Sequence, residues 1–248
     1  MTFSTLMAWI NLQLHYWMQM DWHWALLLAT LVHLSIYLIG GGVGWLLTRQ
    51  LWPAIGLGRE IDLRPLKPGQ LTYELRNGLL ACLLFGVISL SYRSLCVDLW
   101  PQDAATALWQ LAAFVVFNNL YSYGTHRLLH HRYLIRFHAV HHRSVRVTPF
   151  SSYSVHGLEA IVIAATFPLF LLLVPMSLGM VVLLHAFGMT YTVCIHCNYD
   201  LWPALSDHHW FKKLINHPTY HRYHHTLGNV NYGFTNRLLD ILFKTNKD

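Results

Sequence analysis

The chain has 248 residues, of which 54% are hydrophobic, 14% aromatic and 11% charged. A soluble domain carries about 25% charged residues, so this composition argues against a soluble globule, and it excludes a disordered chain, which needs low hydrophobicity. The net charge is +6, but 17 Lys and Arg are too few for a nucleic-acid-binding protein, and four Cys do not make a disulfide scaffold at this length.

Apolar stretches of about the length that a bilayer core requires occur five times along the chain. They cover residues 24–48, 79–97, 104–123, 158–174 and 178–195. Only Pro175 to Ser177 separate the last two, so we expect an antiparallel hairpin there. The segment before the first stretch has no Lys or Arg, unlike a secretory signal, and its Trp, Tyr and Met content predicts a short helix in the headgroup region.

We therefore expect an all-α, integral membrane helical bundle of about five spans. No repeat or linker marks a second domain, so residues 1–248 should form a single membrane-embedded domain. The 17 Lys and Arg fall in three segments, 49–78, 126–157 and 199–248, except for Arg93. Five alternating spans place these three segments on one side, which the positive-inside rule identifies as cytoplasmic.

The 18 His are the unusual feature of the sequence, because 15 of them fall between positions 126 and 225. His126 and His130 are spaced i and i+4. His138, His141 and His142 read His-x-x-His-His, and the same pattern returns in His221, His224 and His225. On a helix these spacings place the side chains on one face. His156 and His196 stand at the cytoplasmic ends of predicted spans.

Imidazole is a good ligand for zinc, iron, copper and nickel, so the repeated spacing predicts a histidine-rich, helical metal-binding cap on the cytoplasmic side. A basic surface that binds lipid headgroups would not need the repeated spacing. His131, His208, His209 and His217 fall outside the pattern and are expected to lie beside the site or on the surface. His33 and His185 fall inside spans, where each is either a functional group or an interhelical hydrogen-bond partner.

The chain resembles the fatty acid hydroxylase superfamily of membrane-bound, histidine-box di-iron enzymes over roughly residues 115–245. The three histidine boxes carry this resemblance. Segment 148–156 (Thr-Pro-Phe-Ser-Ser, ending at His156) and Ile195-His196 are similar to the sterol C-5 desaturase branch. Asn231-Tyr232-Gly233 and Leu239-Asp240-x-x-Phe243-x-Thr245 resemble the family's closing motifs, with Leu239 in place of Trp and Lys244 in place of Gly. Asn118 or Asn119 stands where many members have Asp.

The resemblance implies ten metal ligands, which are more than one ion can bind and so favour two metals: His126, His130, His138, His141, His142, His156, His196, His221, His224 and His225. It implies a di-iron centre that uses dioxygen to hydroxylate or desaturate a lipid, whether fatty acyl, sterol-like or another isoprenoid. Four further side chains are candidates for orienting the imidazoles: Tyr153, Glu159, Asn198 and Tyr220. No flavin, haem or dinucleotide motif occurs, so the electrons should come from a separate ferredoxin, cytochrome or reductase.

Two other functions remain open from the sequence. A zinc-dependent lipid-modifying enzyme could use the same ligands, because imidazole binds zinc as well as iron, and zinc could also occupy the purified protein. A non-enzymatic metal-binding or transport protein is the other, although a transporter should carry ligands near the bilayer midplane. We expect a bacterial cytoplasmic membrane rather than the endoplasmic reticulum.

Overall fold

The computed structural model describes residues 2–203 and 209–247. The regular secondary structure of this part of the chain is helical apart from two strands of two residues each, which confirms the all-α prediction. The helices are α1 Phe3–Gln19, α2 Trp22–Leu46, α3 Trp52–Ala54, α4 Gln70–Ser89, α5 Tyr92–Leu95, α6 Ala104–Leu129, α7 Ile135–His142, α8 Gly157–Ala164, α9 Thr166–Leu171, α10 Leu178–Ile195, α11 Trp210–Leu214, α12 Pro218–Leu227 and α13 Leu238–Leu242.

Two short helical turns and one pair of short strands lie between these helices. A π-helical turn, Leu47–Leu51, continues α2 into α3, and a 3-10 turn, Pro149–Tyr153, precedes α8. Strand β1, Arg59–Glu60, pairs antiparallel with β2, Tyr199–Asp200, and joins the loop after α3 to the segment after α10.

Three helical stretches are long and apolar enough to cross a membrane: Trp22–Ala54, Gln70–Leu95 and Leu178–Ile195. They correspond to the first, second and fifth predicted spans. The third predicted span lies in α6, which has 26 residues, or roughly 39 Å at 1.5 Å per residue, but includes polar side chains such as Gln110 and Asn119.

The fourth predicted span is a broken helix, Gly157–Leu171, which is shorter than the other candidates. The break falls between α8 and α9, at Ala165. Pro168 explains it, because proline has no N–H to offer the carbonyl of Ala164 and its ring crowds that carbonyl. Within the described chain, three helices are thus long and apolar enough to cross a bilayer, compared with the five predicted spans.

Successive long helices nevertheless run back and forth between two ends of the molecule, as the sequence predicts. At one end, the Arg93 guanidinium donates to the Met18 carbonyl at 2.9 Å, and the Leu178 N–H donates to the Asp98 carbonyl at 2.8 Å. These contacts bring α1, the segment before α6 and the start of α10 together. The histidine boxes and the other basic residues belong to segments at the opposite end, which we call the histidine end.

Close helix packing fixes the frame around the histidine end. A Cβ at Gly78 of α4 would lie 2.3 Å from the Tyr37 ring of α2, so only glycine allows this approach. The Tyr37 hydroxyl donates to the carbonyls of Glu74 and Phe150, at 3.1 and 3.0 Å. Tyr37 therefore ties α2, α4 and the 3-10 turn together.

A buried carboxylate anchors the segment that follows α7. Glu74 is fully buried in α4 and accepts hydrogen bonds from Gln70 Nε2 and Ser144 Oγ, both at 2.7 Å, and from Thr148 Oγ1 at 2.5 Å. Three donors satisfy the buried carboxylate, as burial of such a group requires. The end of α7, which carries His141 and His142, is thereby fixed relative to the bundle.

Candidate metal centre

The structure brings nine of the ten predicted ligands together in two groups. The ligand nitrogens within each group lie within 4.8 Å of one another. The five-histidine group consists of His126, His130, His138, His142 and His224. The four-histidine group consists of His141, His196, His221 and His225. Two separate groups fit two ions, one in each.

The geometry of α7 and α12 explains why each His-His pair divides between the groups. Adjacent residues on an α-helix point about 100° apart, whereas i and i+4 share a face. His138 and His142 therefore serve the five-histidine group, and His141 serves the other. On α12 the assignment is reversed: His221 and His225 serve the four-histidine group, and His224 the other.

Within each group the Nε2 atoms converge. His142 Nε2 lies 3.0 Å from His138 Nε2 and 2.9 Å from His224 Nε2. In the other group, His221 Nε2 lies 2.9 Å from His196 Nε2. A neutral imidazole Nε2 carries either one N–H or one lone pair, so His142 Nε2 cannot form a full hydrogen bond to both neighbours at once. A cation among the lone pairs resolves this conflict, and the donor set therefore fits a metal.

Four of the nine imidazoles have their other nitrogen fixed by an acceptor. The Nδ1 of His126 contacts the Tyr232 carbonyl at 2.8 Å, and the Nδ1 of His224 contacts the Val230 carbonyl at 2.7 Å. His196 Nδ1 contacts the Thr192 carbonyl at 2.7 Å. Donation from Nδ1 leaves the Nε2 lone pair free, which is the tautomer that a metal ligand needs.

The fourth fixed imidazole is that of His138, whose Nδ1 lies 2.7 Å from Glu159 Oε1. Both side chains are buried, at 1% and 3% exposure. A carboxylate behind a ligand imidazole orients the ring and makes it a more basic ligand. Of the four side chains predicted to orient an imidazole, Glu159 is the one that the structure places against a ligand nitrogen.

The closing motif supports His126 from behind. The Asp240 carboxylate accepts from the Tyr232 and Gly233 N–H groups at 2.9 and 2.7 Å, and from Thr245 Oγ1 at 2.7 Å. A Cβ at Gly233 would lie 2.2 Å from the Asn236 carbonyl oxygen, so the turn requires glycine. Asp240 thus holds the loop whose Tyr232 carbonyl orients His126.

Burial keeps these imidazoles neutral. It lowers the pKa of His130 to about 3 and the pKa values of His142 and His196 to about 4. Burial, followed by repulsion from neighbouring histidines, also lowers the pKa values of His141 and His225 well below the ordinary value. Neutral imidazole is the form that binds a metal, so the site is prepared for a cation near neutral pH.

An apolar cavity of about 560 Å³ lies between α6, α8, α9 and α10. Phe85, Phe114 and Phe167 are among its lining residues. Five of the nine clustered histidines line it too: His126 and His138 from one group, and His141, His196 and His221 from the other. A hydrophobic molecule in the cavity would therefore reach both histidine groups.

His156 is the predicted ligand that the structure does not bring to either group. It is the N-cap of α8, where its Nδ1 accepts from the Leu158 N–H at 3.1 Å. Its ring packs against Phe137. Capping a helix N-terminus explains the position of this histidine at the start of the fourth apolar stretch.

Three of the side chains predicted to orient imidazoles have other contacts. Tyr153 packs on Tyr37 in the helix core, with ring centroids 4.8 Å apart. The Asn198 amide donates to the Asp62 carbonyl at 3.0 Å, which fixes the loop beside β2. The Tyr220 ring lies under the Arg237 guanidinium, 4.1 Å from its centroid. None of these three contacts a ligand imidazole within the described residues.

The four histidines outside the spacing pattern have different positions in the chain. His131 is exposed, and His209 caps α11 by accepting from the Phe211 N–H. His217 is buried at the start of α12, and His208 lies outside the described residues. The sequence did not predict that the backbone carbonyls of Thr192, Val230 and Tyr232 contact ligand imidazoles, because every residue type has a carbonyl. Only the closing motif around Tyr232 could have indicated one of these partners.

Comparisons with known proteins complete the description of the site. The family model for fatty acid hydroxylase matches residues 111–245, which include all nine clustered histidines. The chain is similar to a Delta(7)-sterol 5(6)-desaturase of Gibberella zeae, with 30% identity over 121 residues, 48% of this chain and 36% of the relative. Another such desaturase, of Aspergillus fumigatus, is 26% identical over 209 residues, 71% of this chain and 62% of the relative.

The similarity extends to a second kind of protein. A very-long-chain aldehyde decarbonylase of Oryza sativa subsp. indica is 29% identical over 162 residues, 58% of this chain and 25% of the relative. The chain spans less than two thirds of the length of each of these three relatives. No solved structure matches the chain.

Proposed function

The chain belongs to the fatty acid hydroxylase family, and on that premise we propose that it is a membrane oxidoreductase that uses two iron ions and dioxygen to hydroxylate or desaturate a lipid. The observation that carries the proposal is the position of the two histidine groups. Both contribute to the wall of one apolar cavity, so a C–H bond of a bound lipid can lie next to them.

The nine clustered histidines would hold the metal, with one ion in each group. All nine donors are nitrogens, which suit iron, zinc and copper alike. Iron is the proposal because two of the relatives described above are desaturases, and desaturation removes hydrogen from C–H bonds. Bound there, two iron ions would supply the dioxygen chemistry that oxidation of an unactivated C–H bond needs, with electrons from a separate donor.

The chain's own residues position the reactants. The aromatic and aliphatic walls of the cavity exclude water and hold the lipid close to the histidines, and close placement of reacting groups is a large part of catalysis. Glu159 and the Tyr232 carbonyl keep His138 and His126 in the tautomer that presents Nε2 inward. Whether one oxygen is added or two hydrogens are removed then depends on which C–H bonds the cavity places next to the site.

The partners follow from the same proposal. The substrate is a lipid that enters from the membrane, and a separate ferredoxin, cytochrome or reductase supplies electrons. We place the histidine end on the cytoplasmic side, because every Lys and Arg except Arg93 belongs to a segment at that end. The three relatives described above come from eukaryotes, so they give no support to the expectation of a bacterial membrane.

The test is product formation by the purified protein in detergent with lipid extract, a reducing system and iron, analysed by mass spectrometry with and without dioxygen. We expect a lipid that gains one oxygen or loses two hydrogens only when dioxygen and reductant are both present, and that His141→Ala and His224→Ala lose this activity. Product without dioxygen, supported by zinc, would instead indicate the zinc-dependent enzyme. Metal flux into vesicles without any lipid product would indicate the transport protein.

A further inference from the structure

A second concave site lies at the histidine end, where α2 passes into α3. It is a pocket of about 520 Å³, and within the described chain it shares no lining residue with the apolar cavity. Three arginines, one glutamate and four apolar residues line it: Trp45, Arg49, Glu60, Leu63, Arg64, Pro65, Leu66 and Arg146. The proposed oxidation uses none of these side chains.

Two guanidinium groups of this pocket meet at one carboxylate oxygen. Arg49 Nη1 lies 3.2 Å from Glu60 Oε1, and Arg146 Nη2 lies 2.5 Å from the same oxygen. The two nitrogens are therefore less than about 6 Å apart, so one small anion can contact both groups. Arg146 is only 7% exposed, which makes its charge a fixed part of the pocket wall. Arg49 Nη2 and Arg146 Nη1 have no hydrogen-bond acceptor in ranges 2–203 and 209–247.

The charges of this network do not balance. Asp62 is buried, accepts from Arg64 Nε at 2.9 Å and lies 3.7 Å from Arg222 Nε. Four guanidinium groups thus share two carboxylates, those of Glu60 and Asp62, and two positive charges are left over. Uncompensated charge in a half-buried site is costly, so the network favours an added anion.

The pocket lies at the depth of the lipid headgroups. Tryptophan is enriched at both membrane interfaces, and from Trp24 to Trp45 helix α2 rises roughly 32 Å, about the thickness of the hydrocarbon core. The Arg49 guanidinium lies beyond Trp45, 5.3 Å from the centroid of its ring. The π-helical turn Leu47–Leu51 carries Arg49, and such turns are frequent at functional sites.

An open apolar face leads from the pocket along α2 into the bilayer. Leu38 and Gly42 share the helix face of Trp45 by their spacing of four and three residues. Leu38 is exposed, and a Cβ at Gly42 would meet no described atom within 4 Å. At the pocket itself, Leu63 is 80% exposed. A cationic wall with an apolar approach fits an amphipathic anion better than a free phosphate ion.

We propose that this pocket binds the phosphate group of an anionic glycerophospholipid, whose acyl chains lie along the Leu38 and Gly42 face of α2. Guanidinium groups suit phosphate because their planar N–H donors match its oxygens. A headgroup with a net negative charge complements the two surplus positive charges, whereas the choline group of a zwitterionic lipid would place a cation beside the arginines. This lipid is distinct from the molecule in the apolar cavity, so the proposal does not depend on the proposed function.

Native mass spectrometry of the purified, metal-loaded protein in a neutral detergent tests the proposal. The probes are dioleoylphosphatidylglycerol, which is anionic, and dioleoylphosphatidylcholine, which is zwitterionic and has the same acyl chains. Glycerol 3-phosphate is the competitor that carries phosphate without chains. We expect the wild-type protein to bind one phosphatidylglycerol per chain at least about ten-fold more tightly than phosphatidylcholine, and glycerol 3-phosphate at equal concentration to leave it bound.

Two substitutions should change this preference in opposite directions. Arg49→Gln removes one guanidinium from an exposed position and should lower the affinity for phosphatidylglycerol about ten-fold. Glu60→Gln removes the carboxylate that competes for the same guanidinium groups and should raise that affinity about five-fold. Metal content at the wild-type value in both variants shows that the fold is kept.

Arg136→Gln is the matched control, because it makes the same change of charge at an exposed arginine of the histidine end that lies outside the pocket. It should keep the wild-type preference. Equal binding of the two lipids to the wild type, or the same loss in Arg136→Gln as in Arg49→Gln, would overturn the proposal. Displacement of the lipid by an equal concentration of glycerol 3-phosphate would overturn it in favour of a site for soluble phosphate compounds. Lipid oxidation is measured separately, so its failure would count against the proposed function alone.

Discussion

The five-histidine and four-histidine groups differ in how firmly their ligands are held. In the five-histidine group, His126, His138 and His224 each have Nδ1 paired with an acceptor at 2.7–2.8 Å. In the four-histidine group, His196 has such a partner, whereas the Nδ1 atoms of His221 and His225 have none within the described chain. Preorganised ligands bind a metal more tightly, so the first group should be the stronger site.

The two groups also differ in their exposure to the cavity. Three members of the four-histidine group line it, compared with two members of the larger group. We therefore propose a division of roles: the larger group would mainly retain its ion, and the smaller group, with one ligand fewer, would have more room for an exogenous ligand next to the lipid.

The largest effect is expected from two adjacent substitutions on α7. His141→Ala leaves three ligands in the four-histidine group, and His142→Ala leaves four in the other. We expect His141→Ala to bind about one iron per chain, with at least about 100-fold weaker binding at the altered group, and His142→Ala to retain close to two. Metal analysis after desalting measures this difference. Equal losses in the two variants would remove the proposed difference between the groups.

Glu159→Gln tests the contribution of a single partner behind a ligand. The amide oxygen can still accept from His138 Nδ1, but an amide cannot take up the negative charge that a carboxyl group can, so we expect metal affinity at the five-histidine group to fall about ten-fold. Competition with a chelator of known affinity measures the change at each group separately. An unchanged affinity at the larger group, or a loss confined to the smaller one, would show that the contact at 2.7 Å does not support the metal.

The metal-free protein should lose stability in mild acid. Burial lowers the pKa values of His142 and His196 to about 4 in the folded state, whereas an unfolded histidine titrates near 6.5. Between these values the unfolded state binds more protons, so stability is intact above about pH 6.5 and falls as the pH drops toward 4. Thermal unfolding at pH 7.5 and 5 measures the effect. The same melting temperature at both values would show that the histidines are not buried as neutral groups.

The smallest effect should come from His156, the predicted ligand outside both groups. His156→Ala removes the side-chain acceptor for the Leu158 N–H and should lower the free energy of unfolding by about 1 kcal/mol or less, the size of a helix cap. Metal content should remain at the wild-type value, which makes this variant a control for the α7 substitutions. Loss of one iron in His156→Ala would mean that the histidine joins a group when metal is bound.

The helical fold and nine clustered histidines could be predicted because they depend on patterns: apolar length and helical spacing. His156 followed the same logic and was not brought to the clusters, since a histidine at a helix start can satisfy a backbone N–H as well as a metal. The division of each His-His pair between two groups requires the relative positions of α7 and α12, which no local pattern contains. Pro168 is a sequence signal for the break in the fourth predicted span, but the apolar composition of residues 158–174 favoured one continuous helix.

The most direct test of the two-site interpretation is an anaerobic titration of the metal-free wild-type protein with iron(II), followed by the change in absorbance or by equilibrium dialysis. Two equivalents per chain should bind, the first more tightly and unaffected by His141→Ala, the second more weakly and lost in that variant. Saturation at one equivalent, or two equivalents with the same affinity in wild type and His141→Ala, would contradict the assignment of one ion to each histidine group.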